Sequence, residues 1–160
     1  MRAVRWALVA WAVLVVAGAG ALGLLWHHNR EADDLAADRT AAVTTARSSV
    51  TTLLTYDGRT LATRLDKDQT LLAPAFRADY RALVQRSVLP TARKDGVRAQ
   101  TSVADAALVS GSDDRAQVLL YLDVHTTTSA SGQGSTQGGR LLVTMTREEG
   151  QWLVSGLRSL

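Results

Sequence analysis

Residues 115–127 read RAQVLLYLDVHTT, and their strict alternation decides the fold class. Ala116, Val118, Leu120, Leu122 and Val124 fall on one side of an extended chain, with Gln117, Leu119, Tyr121, Asp123 and His125 on the other. That is the period of a half-buried strand. Upstream, VRAQTSVADAALV at 97–109 is a second strand whose imperfect alternation predicts a bulge around Asp105. The intervening Ser110-Gly111-Ser112-Asp113-Asp114 is turn chemistry. Downstream, RLLVTMTRE and QWLVSGL form two more strands, joined around Glu149-Gly150 as a tight hairpin. The Gly- and Ser-rich stretch at 128–139 has no apolar anchor and is expected to be a flexible connection.

Before Gly96 the period is 3.6 instead of 2. Leu35, Val43, Ala46, Val50, Leu53 and Leu54 recur at helical offsets and predict an amphipathic helix from near Glu31 to Thr55. Gly58 suits a left-handed helix-ending position, and Thr60 is placed to cap a short second helix carrying Leu61 and Leu65. Pro74 opens a third helix, in which Phe76, Tyr80, Leu83 and Val84 share a face and which Pro90 is expected to end. Helices over about 31–92 followed by antiparallel strands over about 97–158 define an α+β domain, with about three helices covering one face of a curved sheet of about four strands.

Ahead of that domain, Trp6 to Trp26 are 21 consecutive residues without a charge. At about 1.5 Å per residue they reach about 31 Å, the thickness of a hydrocarbon core. Trp6 and Trp26 sit at headgroup level, and Arg2 and Arg5 precede the span, which places the N-terminus in the cytoplasm. The expected organisation is a tail at 1–5, a single-pass helix at 6–26 in the plasma membrane and an extracytoplasmic domain at 27–160. A cleaved signal peptide is the competing reading, because Ala17-Gly18-Ala19 and Ala19-Gly20-Ala21 offer small-x-small sites. Against it, apolar sequence continues through Leu22, Leu24, Leu25 and Trp26.

Composition excludes several functions. The net charge of +3 comes from 16 Arg and 2 Lys spread among 15 acids, with no basic stripe interleaved with aromatics, so nucleic acid is not an expected partner. No cysteine is present, hence neither a disulfide framework nor thiol chemistry. His27 and His28 are adjacent and cannot chelate one metal from a helix face; no metal or cofactor is expected. His125 shares a strand face with Asp123, but no nucleophile accompanies them. The glycines at 132–139 lack the Lys and the helix of a phosphate loop.

One cluster remains, in the stretch LLTYDGRTL at Leu53–Leu61. Tyr56 and Asp57 at the mouth of a cone are suited to act as acid and base on an enolisable substrate. Alternatively, Tyr56 packs its ring under the sheet while Asp57 and Arg59 tie a bend between two helices. The second reading is favoured, because Gly58 and Thr60 already account for a bend.

The layout resembles the Mce-associated membrane proteins of actinobacteria. The resemblance covers nearly the whole chain and rests on the N-terminal anchor, LLTYDGRTL, FRADY at Phe76–Tyr80, VLPTA at Val88–Ala92, AQVLLYLDV at Ala116–Val124 and QWLVSGL at Gln151–Leu157. Gly58 departs from it, since family members commonly carry a bulkier residue there. The resemblance implies an NTF2-like, VirB8-like domain and a non-enzymatic role in stabilising or assembling a lipid or sterol transporter. Mce subunits or other envelope proteins, and membrane lipid, are its implied partners; oligomerisation is left open, as is a VirB8-like secretion scaffold or an NTF2-like ligand-binding or enzymatic domain. It supplies no catalytic residues. Tyr56, Asp57, Arg59, Phe76 and Tyr80 are the expected structural or interaction site.

Overall fold

The alternating stretch forms a strand with the expected ends, Arg115–Thr127, at the centre of an antiparallel sheet. A computed structural model describes residues 37–129 and 134–160. The sheet lies within the compact unit Arg39–Leu160. The expected span at 6–26, with His27, His28 and Leu35, lies outside the described residues. Among the described residues no helix is long and apolar enough to cross a membrane.

The elements run α1 (37–54), β1 (Tyr56–Asp57), α2 (Leu61–Asp68), α3 (Pro74–Leu83), α4 (Leu89–Lys94), β2 (Arg98–Gly111), β3 (Arg115–Thr127), β4 (Ser135–Glu148) and β5 (Gln151–Ser159). A single turn of 3₁₀ helix, Gln69–Leu71, follows α2, and a wide π turn, Val84–Val88, fuses α3 to α4. The result is α+β as expected, with three helical arms on a five-stranded sheet of order β1-β2-β3-β4-β5. The fifth strand is Tyr56–Asp57, which pairs Tyr56 with Ala99 and Asp57 with Arg98. A two-residue strand is invisible to periodicity.

The inward side of β3 behaves as its alternation requires: Ala116, Val118, Leu120 and Leu122 are buried. They pack with Val143 and Met145 of β4 and Trp152 and Val154 of β5, beneath Ala42, Ala46, Val50 and Leu53 of α1, Leu61 and Leu65 of α2, and Tyr80 and Val84 of α3. Fully burying a Leu or Val contributes about 1.5–3 kcal/mol, so this one cluster carries the fold. The expected bulge is present, with the register slipping between Val103 and Asp105, and again between Leu108 and Ser110. A third irregularity lies at Thr144/Met145 in the β4–β5 ladder, where the Ser155 hydroxyl donates to the Thr144 carbonyl at 3.2 Å. Bulges of this kind bend and twist strands, which lets the sheet curl around the helices. The hairpin also matches: Glu149 and Gly150 have φ of 49° and 81°, the positive values that a two-residue primed turn needs.

Several expectations are corrected by the structure. Residues 135–139 are strand and not a free connection, because Ser135, Thr136, Gln137, Gly138 and Gly139 pair with Thr126 through Leu122 of β3. A ladder needs backbone groups, not apolar side chains, and these residues stand in its exposed end. Pro90 does not end its helix. The Leu89 N–H reaches back five residues to the Val84 carbonyl, and this widened turn takes up the missing donor and the ring of Pro90. Leu83 is 55% exposed and not in the apolar face, which runs along Phe76, Tyr80 and Val84 at four-residue steps. On α1 the buried line is Ala42, Ala46, Ser49, Val50 and Leu53, with Val43 and Leu54 only flanking it.

The left-handed glycine that closes a helix is Gly96 (φ 60°) and not Gly58. Past it, the Val97 N–H bonds the Ala92 carbonyl at 2.9 Å, closing α4 in the Schellman manner. Gly58 is required for a different reason. A Cβ there would fall on the Ala92 carbonyl and lie 3.0 Å from the Ala92 Cβ, so the turn after β1 presses directly against α4. The bulkier residue seen at this place in the resembling family has no room here. Thr60 holds the N-cap position of α2 without a side-chain capping bond; its hydroxyl donates to the Asp57 carbonyl at 3.4 Å.

Candidate functional site: the corner between the first helix and the sheet edge

The stretch LLTYDGRTL closes α1, forms β1 and opens α2, and its side chains divide into an inner lock and an outer ion cluster. The lock begins with a geometric necessity. The last carbonyls of a helix have no partner within it, and when the end is buried they must find donors elsewhere. Here each finds one. Arg64 of α2 donates from Nη2 to the Thr52 carbonyl and from Nη1 to the Thr55 carbonyl, both at 2.6 Å. The Tyr80 hydroxyl of α3 donates to the Leu53 carbonyl at 3.3 Å. The Thr101 hydroxyl of β2 donates to the Leu54 carbonyl at 3.1 Å, and the Thr101 N–H donates to the Thr55 hydroxyl at 3.0 Å.

Arg64 in turn needs a countercharge, which Asp68 supplies one helical turn on, at 3.3 Å and 3% exposed. Burial pushes the Asp68 carboxyl up, against the pull of Arg64. Burial likewise raises the Tyr80 hydroxyl to about 12, so it stays a hydrogen-bond donor throughout the accessible pH range. Phe76 stands 6.3 Å from the Tyr80 ring at a tilt of 51°, in the range of favourable aromatic pairs, and holds that ring in place. Tyr80 and Phe76 thus belong to the lock that seats α1.

Tyr56, Asp57 and Arg59 lie on the other side of the corner. Asp57 Oδ1 accepts from the Arg59 backbone N–H at 2.9 Å and from Arg59 Nε at 3.1 Å. Oδ2 pairs with Arg59 Nη2 at 2.8 Å and with Arg98 Nε at 2.9 Å. The Arg59 hydrogen bonds, reinforced by the charges of Arg59 and Arg98, hold the Asp57 carboxyl well below the usual carboxylate range. Tyr56 is half-buried beside the core, and burial pushes its phenol up. A carboxylate held ionised is a weak base and a phenol pushed up is a weak acid, which disfavours the acid–base reading of the pair. In this geometry Asp57 ties the turn before α2 to β2.

This tie makes a pH-dependent prediction. A carboxyl whose folded pKa lies below the unfolded value of 3.8 stabilises the fold above that value and loses its contribution as pH falls below it. The melting temperature of Asp57→Asn should therefore lie below that of the native chain at pH 6, with the gap unchanged down to about pH 4 and narrowing only as pH falls further, towards about 2. A gap that stays constant from about pH 4 to about pH 2 would show that the Asp57 charge is not what holds the corner.

Sequence reasoning missed Arg64, Asp68, Arg98 and Thr101. The spacing of Arg64 and Asp68 within LATRLDKD is a readable i, i+4 pair; Arg98 and Thr101 are brought in only by the pairing of β1 with β2. His125 and Asp123 are exposed on the outward sheet face, where His125 Nδ1 lies 3.0 Å from the Thr136 hydroxyl. Among the described residues no group of His, Asp and Glu is arranged to hold a metal.

Helices closing one face of a curled antiparallel sheet, with the first helix locked into its edge, are the NTF2-like arrangement in its VirB8-like form. An IcmL-like type IV secretion system protein of Legionella pneumophila shares it, with a TM-score of 0.63 and 14% identity over 74% of this chain and 88% of that one. CagV, a VirB8 homologue of the type IV secretion system of Helicobacter pylori, superposes with a TM-score of 0.57 and 11% identity, over 75% of this chain and 96% of its own. No family model matches the chain. The chain belongs to the family of outer membrane protein Rv1973 of Mycobacterium tuberculosis, to which it is 33% identical over 133 residues, 83% of this chain and 82% of that protein.

Proposed function

We propose that the chain is a non-enzymatic, membrane-anchored accessory protein of the cell envelope, whose domain at 27–160 stands outside the cytoplasm and holds protein partners of a lipid-transport assembly. The observation that carries this reading is the family tie to a mycobacterial outer membrane protein, joined to a fold shared with type IV secretion proteins. The uncharged span from Trp6 to Trp26 supplies the anchor. The resemblance carried by TYD and RTL at Thr55–Leu61 favours Mce transporter subunits as the partners. The likeness to secretion-system domains favours a second reading, a scaffold in a secretion assembly.

Purification of the tagged full chain from actinobacterial membranes separates the two. Mce subunits should accompany it; secretion components in their place would select the scaffold. Topology is testable cleanly because the chain has no native cysteine. Asp113→Cys, in the exposed β2–β3 turn, should react with a membrane-impermeant maleimide on spheroplasts, whereas Ala3→Cys should not. The reverse pattern would overturn the orientation, and recovery of the chain in the outer-membrane fraction would overturn the plasma-membrane anchor.

A further inference from the structure

Beside the corner, Arg59 and Arg98 line an open recess of about 410 Å³ together with Gly96, Thr127, Thr128 and Ser129. Its chemistry is set by two guanidiniums facing one carboxylate, a cluster of formal charge +1. Arg59 donates its Nε and one Nη2 hydrogen to Asp57, and the Arg98 Nε stands 2.9 Å from Asp57 Oδ2 as an ion pair. Each guanidinium has five N–H donors. Among the described residues the remaining donors of both have no protein acceptor, and the two side chains are 68% and 59% exposed. The opposite wall is fixed by backbone: the Ser129 N–H donates to the Asp95 carbonyl at 3.0 Å, and a Cβ on Gly96 would fall on the Ser129 hydroxyl. The end of β3 and the residues after it are thereby held close to the turn before β2, with Thr127 paired across the ladder from Arg98.

We propose that this recess binds a phosphate group, free or esterified, with Arg59 and Arg98 as its two forks and Thr127 and Ser129 hydroxyls as further donors. Asp57 holds both forks in place, so an incoming anion need not order two long side chains. Planar forks engage phosphate oxygens in pairs, which a point charge cannot do. The open mouth admits a group larger than phosphate itself, such as a phospholipid headgroup. The site stands whichever assembly the domain serves.

The test uses the full chain in dodecyl maltoside micelles, titrated calorimetrically with inorganic phosphate, with micelles containing phosphatidylglycerol and with micelles containing a neutral glycolipid. Binding to phosphatidylglycerol alone assigns the site to headgroups; binding to inorganic phosphate of equal strength assigns it to free phosphate. In either case Arg59→Gln/Arg98→Gln should weaken binding about tenfold or more, since each charged hydrogen bond contributes substantially. The exposed control pair Arg86→Gln/Arg158→Gln should stay within about twofold. Arg59→Lys/Arg98→Lys keeps the countercharges of Asp57, and with them the corner, and should still weaken binding through loss of the forks. Native affinity in either Arg59/Arg98 variant, an equal loss in the control pair, binding of the glycolipid as tightly as of phosphatidylglycerol, or no binding of phosphate in either form would each overturn the site.

Discussion

Replacing Arg64 with Met should lower the stability of the domain by about 2–4 kcal/mol: buried Asp68 loses its countercharge, but Arg64 itself is 31% exposed, which keeps the loss short of that for a fully buried pair. Thermal unfolding followed by circular dichroism should read this as a fall of about 8–16 °C for a domain of this size. Three losses combine. The Thr52 and Thr55 carbonyls lose their donors, and the Asp68 carboxylate, 3% exposed, loses its countercharge. The apolar stem of Met replaces the packing of the Arg stem, so the effect isolates the charge and its hydrogen bonds. Arg86→Met, on an exposed face, should change stability by no more than about 0.5 kcal/mol.

The pH dependence gives this prediction a signature. Burial already raises Asp68 in the folded state, and without Arg64 the rise is larger. A carboxyl whose folded pKa exceeds its unfolded value lets the folded state hold the extra proton between the two, so stability falls as pH rises through that window. The deficit of Arg64→Met should therefore narrow as pH drops from 7 towards 4. Arg64→Met/Asp68→Asn should recover part of it at pH 7. A variant that melts within about 2 °C of the native chain at both pH values would show that α1 is seated by its apolar face alone.

The second large effect distinguishes two adjacent leucines. Leu53→Ala should cost about 3–4 kcal/mol, within the span for a buried Leu truncated to Ala. Leu54→Ala should cost less than half of that, because Leu54 only flanks the core that Leu53 enters. Both carbonyls stay bonded in either variant, one to the Tyr80 hydroxyl and the other to the Thr101 hydroxyl, so the comparison reports packing. Equal losses in denaturant unfolding would mean that the α1 face is rotated from the one described.

Much of the fold was legible because its signals are short-range. β3 could be read with its ends, since five apolar residues at a spacing of two leave no competing helical face. The β4–β5 hairpin followed from Glu149-Gly150, a two-residue loop with glycine where a positive φ is needed. In the candidate site, Tyr56, Asp57 and Arg59 stood out as a cluster around a glycine, and Phe76 and Tyr80 as a helical pair. Their division into an outer tie and an inner lock was not legible, because Arg98 and Thr101 reach the corner from a strand more than forty positions away in the chain.

Taken alone, the sequence determined the order of helices and strands, the inward side of β3 and the places of the tight turns. Each is a property of a few neighbouring residues: side-chain period, turn conformation, or the lack of a Cβ. Tertiary structure decided where α1 ends, which of Leu53 and Leu54 enters the core, that Gly58 serves close approach while Gly96 serves the left-handed turn, and that a polar run at 135–139 completes a ladder. Those outcomes depend on which distant group supplies a donor, an acceptor or a wall, and such partners are set only when the chain has packed.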